Sequence, residues 1–258
     1  VTPDAPRFRI LGYRSSAWAY PPNTLPALRA ALDEGADGLA VDVELTKDGV
    51  LVACEDRLLR AVSEAFRGTR DATYAQLAML DAGVGFSPLH HRAPIPTIEG
   101  VLAAFASRCE LVFLMPDDAD EELAEALGQA LSGGPGSLGV VSESVRLLSL
   151  VHRNAPKVRR ILRVLDPWAD NDVIIGMQRD IDGVAAPIRQ ITPDFALELA
   201  AAGVELVAEE CETPTVTKRA LHLAVDCVLT ERPRWLRNCA QEQQRVVSRY
   251  PRPYAWRF

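Results

Sequence analysis

The chain has 258 residues, 48% of them apolar and 24% charged, with a formal net charge of −7. That balance is ordinary for a globular protein. The acidic surplus argues against a nucleic-acid or anionic-membrane partner, and no apolar run approaches the roughly 20 residues of a transmembrane segment.

The N-terminus shows no basic stretch followed by an apolar one, so no signal peptide is visible. That is the expectation for a cytoplasmic protein, or for one whose leader has been removed. Residues 8–13 predict a first strand. A helix follows over about 24–35, with Leu25, Leu28 and Leu32 at helical spacing and Gly35 as its stop. Residues 38–45 predict the second strand. Its link to the apolar run 50–54 is too short for a parallel crossover, and AspGly at 48–49 is a tight-turn signal. Residues 41–54 are therefore expected to form a β-hairpin that brings Asp42 close to Glu55 and Asp56. Further strands are expected at about 110–115, 138–142, 159–165, 181–186, 204–209 and 225–229. Helices are expected between them at about 97–107, 119–131, 144–153, 169–178, 193–202 and 215–222. The cysteines, Cys54, Cys109, Cys211, Cys227 and Cys239, are odd in number and contain no CxxC pair. They read as buried free thiols, not as a zinc or disulfide framework.

Leaving out the return arm of the hairpin, eight strands alternate with helices. The pattern predicts an α/β fold: one (β/α)8 TIM-barrel domain over residues 1–258, with a β-hairpin insertion after the second strand. An open doubly wound sheet leaves a similar trace. In either fold the active site lies at the C-terminal ends of the strands. Those ends carry Tyr13, Arg14, Asp42, Pro116, Glu143, Asp166, Glu209, Glu210 and Glu231.

TyrArgSer at 13–15, ProProAsnThr at 21–24, ValAspValGluLeuThrLysAspGly at 41–49 and GluAsp at 55–56 form an ordered series. LeuAspAlaGly at 80–83, IleProThrIleGlu at 95–99 and ValAspCysValLeuThrGluArgPro at 225–233 continue it. The series resembles the signature of glycerophosphodiester phosphodiesterases: His-Arg-Gly, Pro-Glu-Asn-Thr, Glu-x-Asp-Val with Leu-Thr-Lys-Asp-Gly, His-Asp, and Val-Asp-Gly-Ile-Ile-Thr-Asp-Arg-Pro. The resemblance implies a TIM barrel in which two histidines do acid–base work. It also implies a divalent metal held by the carboxylates of Glu-x-Asp and by a Glu in a Glu-Ile-Lys-Pro strand. Carried over residue by residue, most of that machinery is replaced. Tyr13 and Glu55 stand at the histidine positions and Ala40 at the first carboxylate. Phe113 and Met115 are expected at the Glu and Lys of the fourth motif. Arg14, Asn23, Asp42 and Asp56 survive.

Each survivor has a functional and a structural reading. Arg14 is a phosphate-binding guanidinium or an ion-pair partner of Asp42 or Glu55. Asp42 is a remnant metal ligand or a hairpin anchor. Glu55 is a general base, if burial raises its pKa, or a solvated hairpin end. Tyr13 is a proton donor or a plug in the emptied site. Of Glu209 and Glu210, one points into the barrel by strand alternation and is a candidate ligand-binding group. His90 and His91 lie in a loop on the active-site face and are candidates to replace the lost histidines. Trp18 belongs to the first loop of the mouth.

The leading expectation is a pseudoenzyme. It keeps the barrel, lacks metal-dependent phosphodiester hydrolysis, and binds a small phosphorylated or phosphodiester ligand or a protein partner. No cofactor is expected, and a divalent cation (Mg or Ca) only if the site is rebuilt. One alternative is an enzyme with altered, metal-free chemistry at a mouth flanked by Arg14, Asp42, Glu55 and Glu209. Another is a weak phosphoric diester hydrolase of lipid and glycerophosphodiester metabolism.

Overall fold

The computed structural model describes residues 8–14, 20–83, 93–165 and 179–249. Among them, eight parallel strands close into a barrel: β1 (Arg9–Tyr13), β2 (Gly38–Leu45), β4 (Glu110–Leu114), β5 (Leu138–Ser142), β6 (Arg159–Arg163), β7 (Gly183–Pro187), β8 (Glu205–Glu209) and β9 (Cys227–Thr230). Closure is made by β1, which pairs with β9 on one side and β2 on the other. The ninth strand, β3 (Leu51–Ala53), runs antiparallel to the end of β2, with Val43 opposite Ala53 and Leu45 opposite Leu51. Gly49 has φ +77° in the connecting turn, a conformation that favours glycine.

The helices are α1 (Leu25–Asp33), α2 (Asp56–Val62), α3 (Tyr74–Leu77), α4 (Ile98–Phe105), α5 (Glu121–Leu131), α6 (Val145–Asn154), α7 (Pro193–Ala202), α8 (Pro214–His222) and α9 (Pro233–Arg249). Seven start on a side chain that accepts an N–H from the first turn: Thr24, Thr73, Thr97, Asp120, Ser144, Thr192 and Thr213. These caps end the loops that follow the strands, so the chemistry that starts the helices also shapes the mouth. The helix expected over 169–178 lies outside the described residues. Helices α2, α3 and α9 have no counterpart in the sequence reading. The first two are short and fold over β3, where Leu59, Leu77, Val52 and Ile95 form a satellite core.

The barrel interior is built in layers, each drawn from alternate strands. At the N-terminal end the first residues of β1, β4, β6 and β8 form a ring of ion pairs. Arg9 and Arg159 each bridge Glu110 and Glu205. Gly38, Gly139 and Gly183 border this ring, and they leave it room. A Cβ at Gly38 would lie 2.7 Å from the Glu110 carbonyl oxygen, and one at Gly183 would lie 3.2 Å from the Glu205 Cβ. Above come Leu11, Val112, Ile161 and Val207, then Ala40, Val141, Ala185 and Leu229, forming one apolar plug. Tyr13 packs on top of it.

That packing corrects one expectation. Phe113 and Met115 face outward, in the core between sheet and helices. Val112 and Leu114 are the β4 residues inside the barrel. Strand side chains alternate, so an alignment displaced by one residue swaps every residue to the other face. The inward positions of the fourth motif are Val112 and Leu114. Neither side chain carries a carboxylate or an amine.

Candidate functional site

The C-terminal mouth is organised around Asp42, whose side chain is 13% exposed. Three residues use its carboxylate. The Tyr13 hydroxyl donates to Oδ1 at 3.1 Å, Arg14 Nε donates to Oδ2 at 3.3 Å, and Asn23 Nδ2 donates to Oδ2 at 2.9 Å. The Asn23 amide also accepts from the Asp42 backbone N–H at 3.2 Å. The Arg14 guanidinium then spans to Glu55, 2.8 Å away, and lies 4.8 Å from the Tyr13 ring centroid. Arg14 thus bridges Asp42 on β2 and Glu55 just after β3. Asp56 turns elsewhere and accepts from the Thr69 backbone N–H at 2.8 Å.

Backbone geometry supports this arrangement. Arg14 has φ +46°, Asn23 +61° and Glu210 +62°. Arg14 and Glu210 directly follow β1 and β8. Non-glycine residues pay for left-handed backbone, and such residues cluster at functional sites.

Electrostatics separates the groups. Burial alone would lower the Arg14 pKa, but Asp42, Tyr13 and Glu55 together raise it, so it stays a fixed cation. Burial, and then Asp42, push the Tyr13 phenol well above its ordinary value, which makes it a hydrogen-bond donor and not a base. Glu44 follows Asp42 on the same strand face, and burial with Asp56, Asp118 and Asp42 nearby pushes its carboxyl up to about 8.

Across the mouth, Glu209 is the inward member of the acidic pair and Glu210 is exposed. Glu209 accepts from Arg163 Nε at 3.2 Å and Nη2 at 3.1 Å. Burial raises its pKa, and Arg163 opposes that rise. Sequence reading missed Arg163 and Glu44. Alternation could have found both, since 159, 161 and 163 share one strand face, as do 40, 42 and 44. His90, His91, Trp18 and Asp166 lie outside the described residues.

The residues present do not fit a metal of the expected kind. Ala40 is fully buried and apolar where the first carboxylate is expected. Val112 and Leu114 supply no ligand, and Asp42 already serves three donors. Among the described residues no group of three or more His, Cys, Asp or Glu side chains is placed to hold a metal ion. No described helix is long and apolar enough to cross a membrane.

Comparison with known proteins places this mouth in a lineage. A structure of an Oleispira antarctica phosphodiesterase in complex with the product sn-glycerol-3-phosphate matches with a TM-score of 0.79 at 19% identity, covering 90% of this chain and 96% of that one. A glycerophosphodiester phosphodiesterase structure from Agrobacterium tumefaciens gives 0.71 at 19% identity, covering 90% and 99%. Among curated sequences, a glycerophosphodiester phosphodiesterase of Caldanaerobacter subterraneus is 32% identical over 103 residues, 40% of this chain and 42% of that one. One from Bacillus altitudinis is 36% identical over 100 residues, 39% and 41%. The matched segments thus span about two fifths of these curated relatives. The model of the glycerophosphoryl diester phosphodiesterase family matches residues 14–234, most of the barrel just described, and the chain belongs to that family.

Proposed function

We infer that this chain is a non-hydrolytic member of its family, whose mouth binds a small phosphorylated ligand without metal-dependent phosphodiester cleavage. One observation carries the reading: the Arg14 guanidinium occupies the surviving carboxylate, Asp42, and bridges it to Glu55. That pairing engages the one carboxylate of the Glu-x-Asp pattern that survives here. Phosphodiester hydrolysis needs charge neutralisation together with an acid and a base. Here Tyr13 and Glu55 replace the histidines, and the Tyr13 phenol holds its proton. Arg14 is 27% exposed along its side chain, and a guanidinium is well suited to phosphate oxygens. The Oleispira antarctica relative binds sn-glycerol-3-phosphate, which supports a ligand of that kind.

The test is incubation with a glycerophosphodiester and, in turn, magnesium, calcium and manganese, assaying glycerol phosphate, with Asp42→Ala in parallel. No release above the no-protein control is expected. Release that Asp42→Ala abolishes would overturn the reading and make Asp42 a working metal ligand.

A further inference from the structure

At the far side of the mouth, Glu209 is left half satisfied. It is 6% exposed. Both hydrogen bonds from Arg163 go to Oε2. The other oxygen, Oε1, is buried and has no hydrogen-bond partner among the described residues. Buried polar atoms almost always find a partner, and an exception at the C-terminal end of a barrel strand calls for an explanation.

The charge around Glu209 is unbalanced. Glu143 and Glu210 are close enough to raise its pKa further, and Asp117 stands 3.9 Å from Arg163. Asp117 and Glu143 line a cleft of about 330 Å³ between the ends of β4 and β5. Arg163 pairs with Glu209 and lies 3.9 Å from Asp117; Arg146, on the cleft, is paired to Glu121. A ligand that restores balance brings positive charge, and one that satisfies Oε1 brings an N–H or O–H. A metal ion needs several convergent ligands, and no group of three among the described residues provides them. An alkylammonium needs only one good acceptor and a negative surround.

We propose that this end of the mouth binds the primary ammonium of a small amine, with one N–H donated to Glu209 Oε1 and Glu143 and Glu210 balancing its charge. Access requires Arg163, 30% exposed along its side chain, to yield on its mouth side. The proposal rests on reading the mouth as a ligand site. Tyr13 neighbours both ends: its ring contacts Arg14, and Arg163 lies close to it. A phosphate at Arg14 and an ammonium at Glu209 then describe a zwitterionic ligand.

Calorimetric titration of the full chain at neutral pH and low salt, with four probes, separates the two claims. The probes are phosphoethanolamine, phosphocholine, sn-glycerol-3-phosphate and ethanolamine. Phosphoethanolamine is expected to bind at least tenfold tighter than sn-glycerol-3-phosphate, whose hydroxyls are neutral. It is also expected to bind at least tenfold tighter than phosphocholine, which has no N–H to donate. Glu209→Gln is expected to remove this preference, so that phosphoethanolamine binds no tighter than sn-glycerol-3-phosphate or phosphocholine. Equal affinity for the three phosphorylated probes overturns the ammonium site and leaves the phosphate reading standing. Binding of ethanolamine, lost in Glu209→Gln, with no binding of sn-glycerol-3-phosphate does the reverse. If Glu209→Gln fails to fold, the ranking of probes on the unaltered chain decides. Failure of all four probes to bind overturns the proposal.

Discussion

Asp42 holds the C-terminal mouth together. With Arg14, Tyr13 and Asn23 on its oxygens, its carboxylate is the hub of a hydrogen-bond network. Removing it leaves the buried Asn23 and the half-buried Arg14 with donors to satisfy. Asp42→Ala is therefore expected to lower unfolding stability by about 2–3 kcal/mol, measured by urea denaturation at neutral pH. Glu44, two residues on, makes a pH-dependent prediction. Burial lifts its carboxyl from 4.5 to about 8. The folded state therefore holds a proton that the unfolded state releases, and its contribution to stability falls as pH rises through that window. Glu44→Gln is expected to match the parent near pH 4.5 and to exceed it above pH 8. The gain is on the order of 2 kcal/mol, because partial exposure trims the full linkage value. Urea midpoints at the two pH values check the sign.

At the scale of elements, the strands were largely legible because β-branched and apolar runs separated by capped helices leave a strong pattern. The acidic pair was legible too, since alternation allows only one of Glu209 and Glu210 inside. Alternation was also where the reading slipped. A β4 register off by one residue put Phe113 and Met115 in the barrel, when Val112 and Leu114 occupy it. The ring of Arg9, Glu110, Arg159 and Glu205 was not anticipated, because a charge at the start of a strand usually faces solvent. Only closure brings four such starts together. The glycines beside the ring were likewise unreadable as spacers. They give a sharp expectation: a Cβ at Gly38 would lie 2.6 Å from Leu11 Cδ2 and 2.7 Å from the Glu110 carbonyl oxygen, so Gly38→Ala should cost about 1–3 kcal/mol by overpacking. Thermal or urea unfolding of the variant tests it.

On the scale of the whole molecule, the two ends of the barrel divide the labour. The C-terminal mouth gathers left-handed backbone, a raised carboxyl and an unsatisfied oxygen, all marks of a working surface. The N-terminal end holds paired charges that bear on stability, as expected for the (β/α)8 architecture. Arg159 is 24% exposed and bridges both acids of the ring. Arg159→Met leaves Glu110 and Glu205 with only Arg9 between them, and is expected to destabilise by about 3 kcal/mol. The ring also bears on the order of folding. Its members stand at positions 9, 110, 159 and 205, so they meet only after most of the chain has been threaded into place. Contacts of such separation form late, past the rate-limiting step. Stopped-flow experiments on Arg159→Met should accordingly find refolding at the parent rate and unfolding faster by about two orders of magnitude, making the ring a latch that holds the barrel shut and takes no part in assembling it.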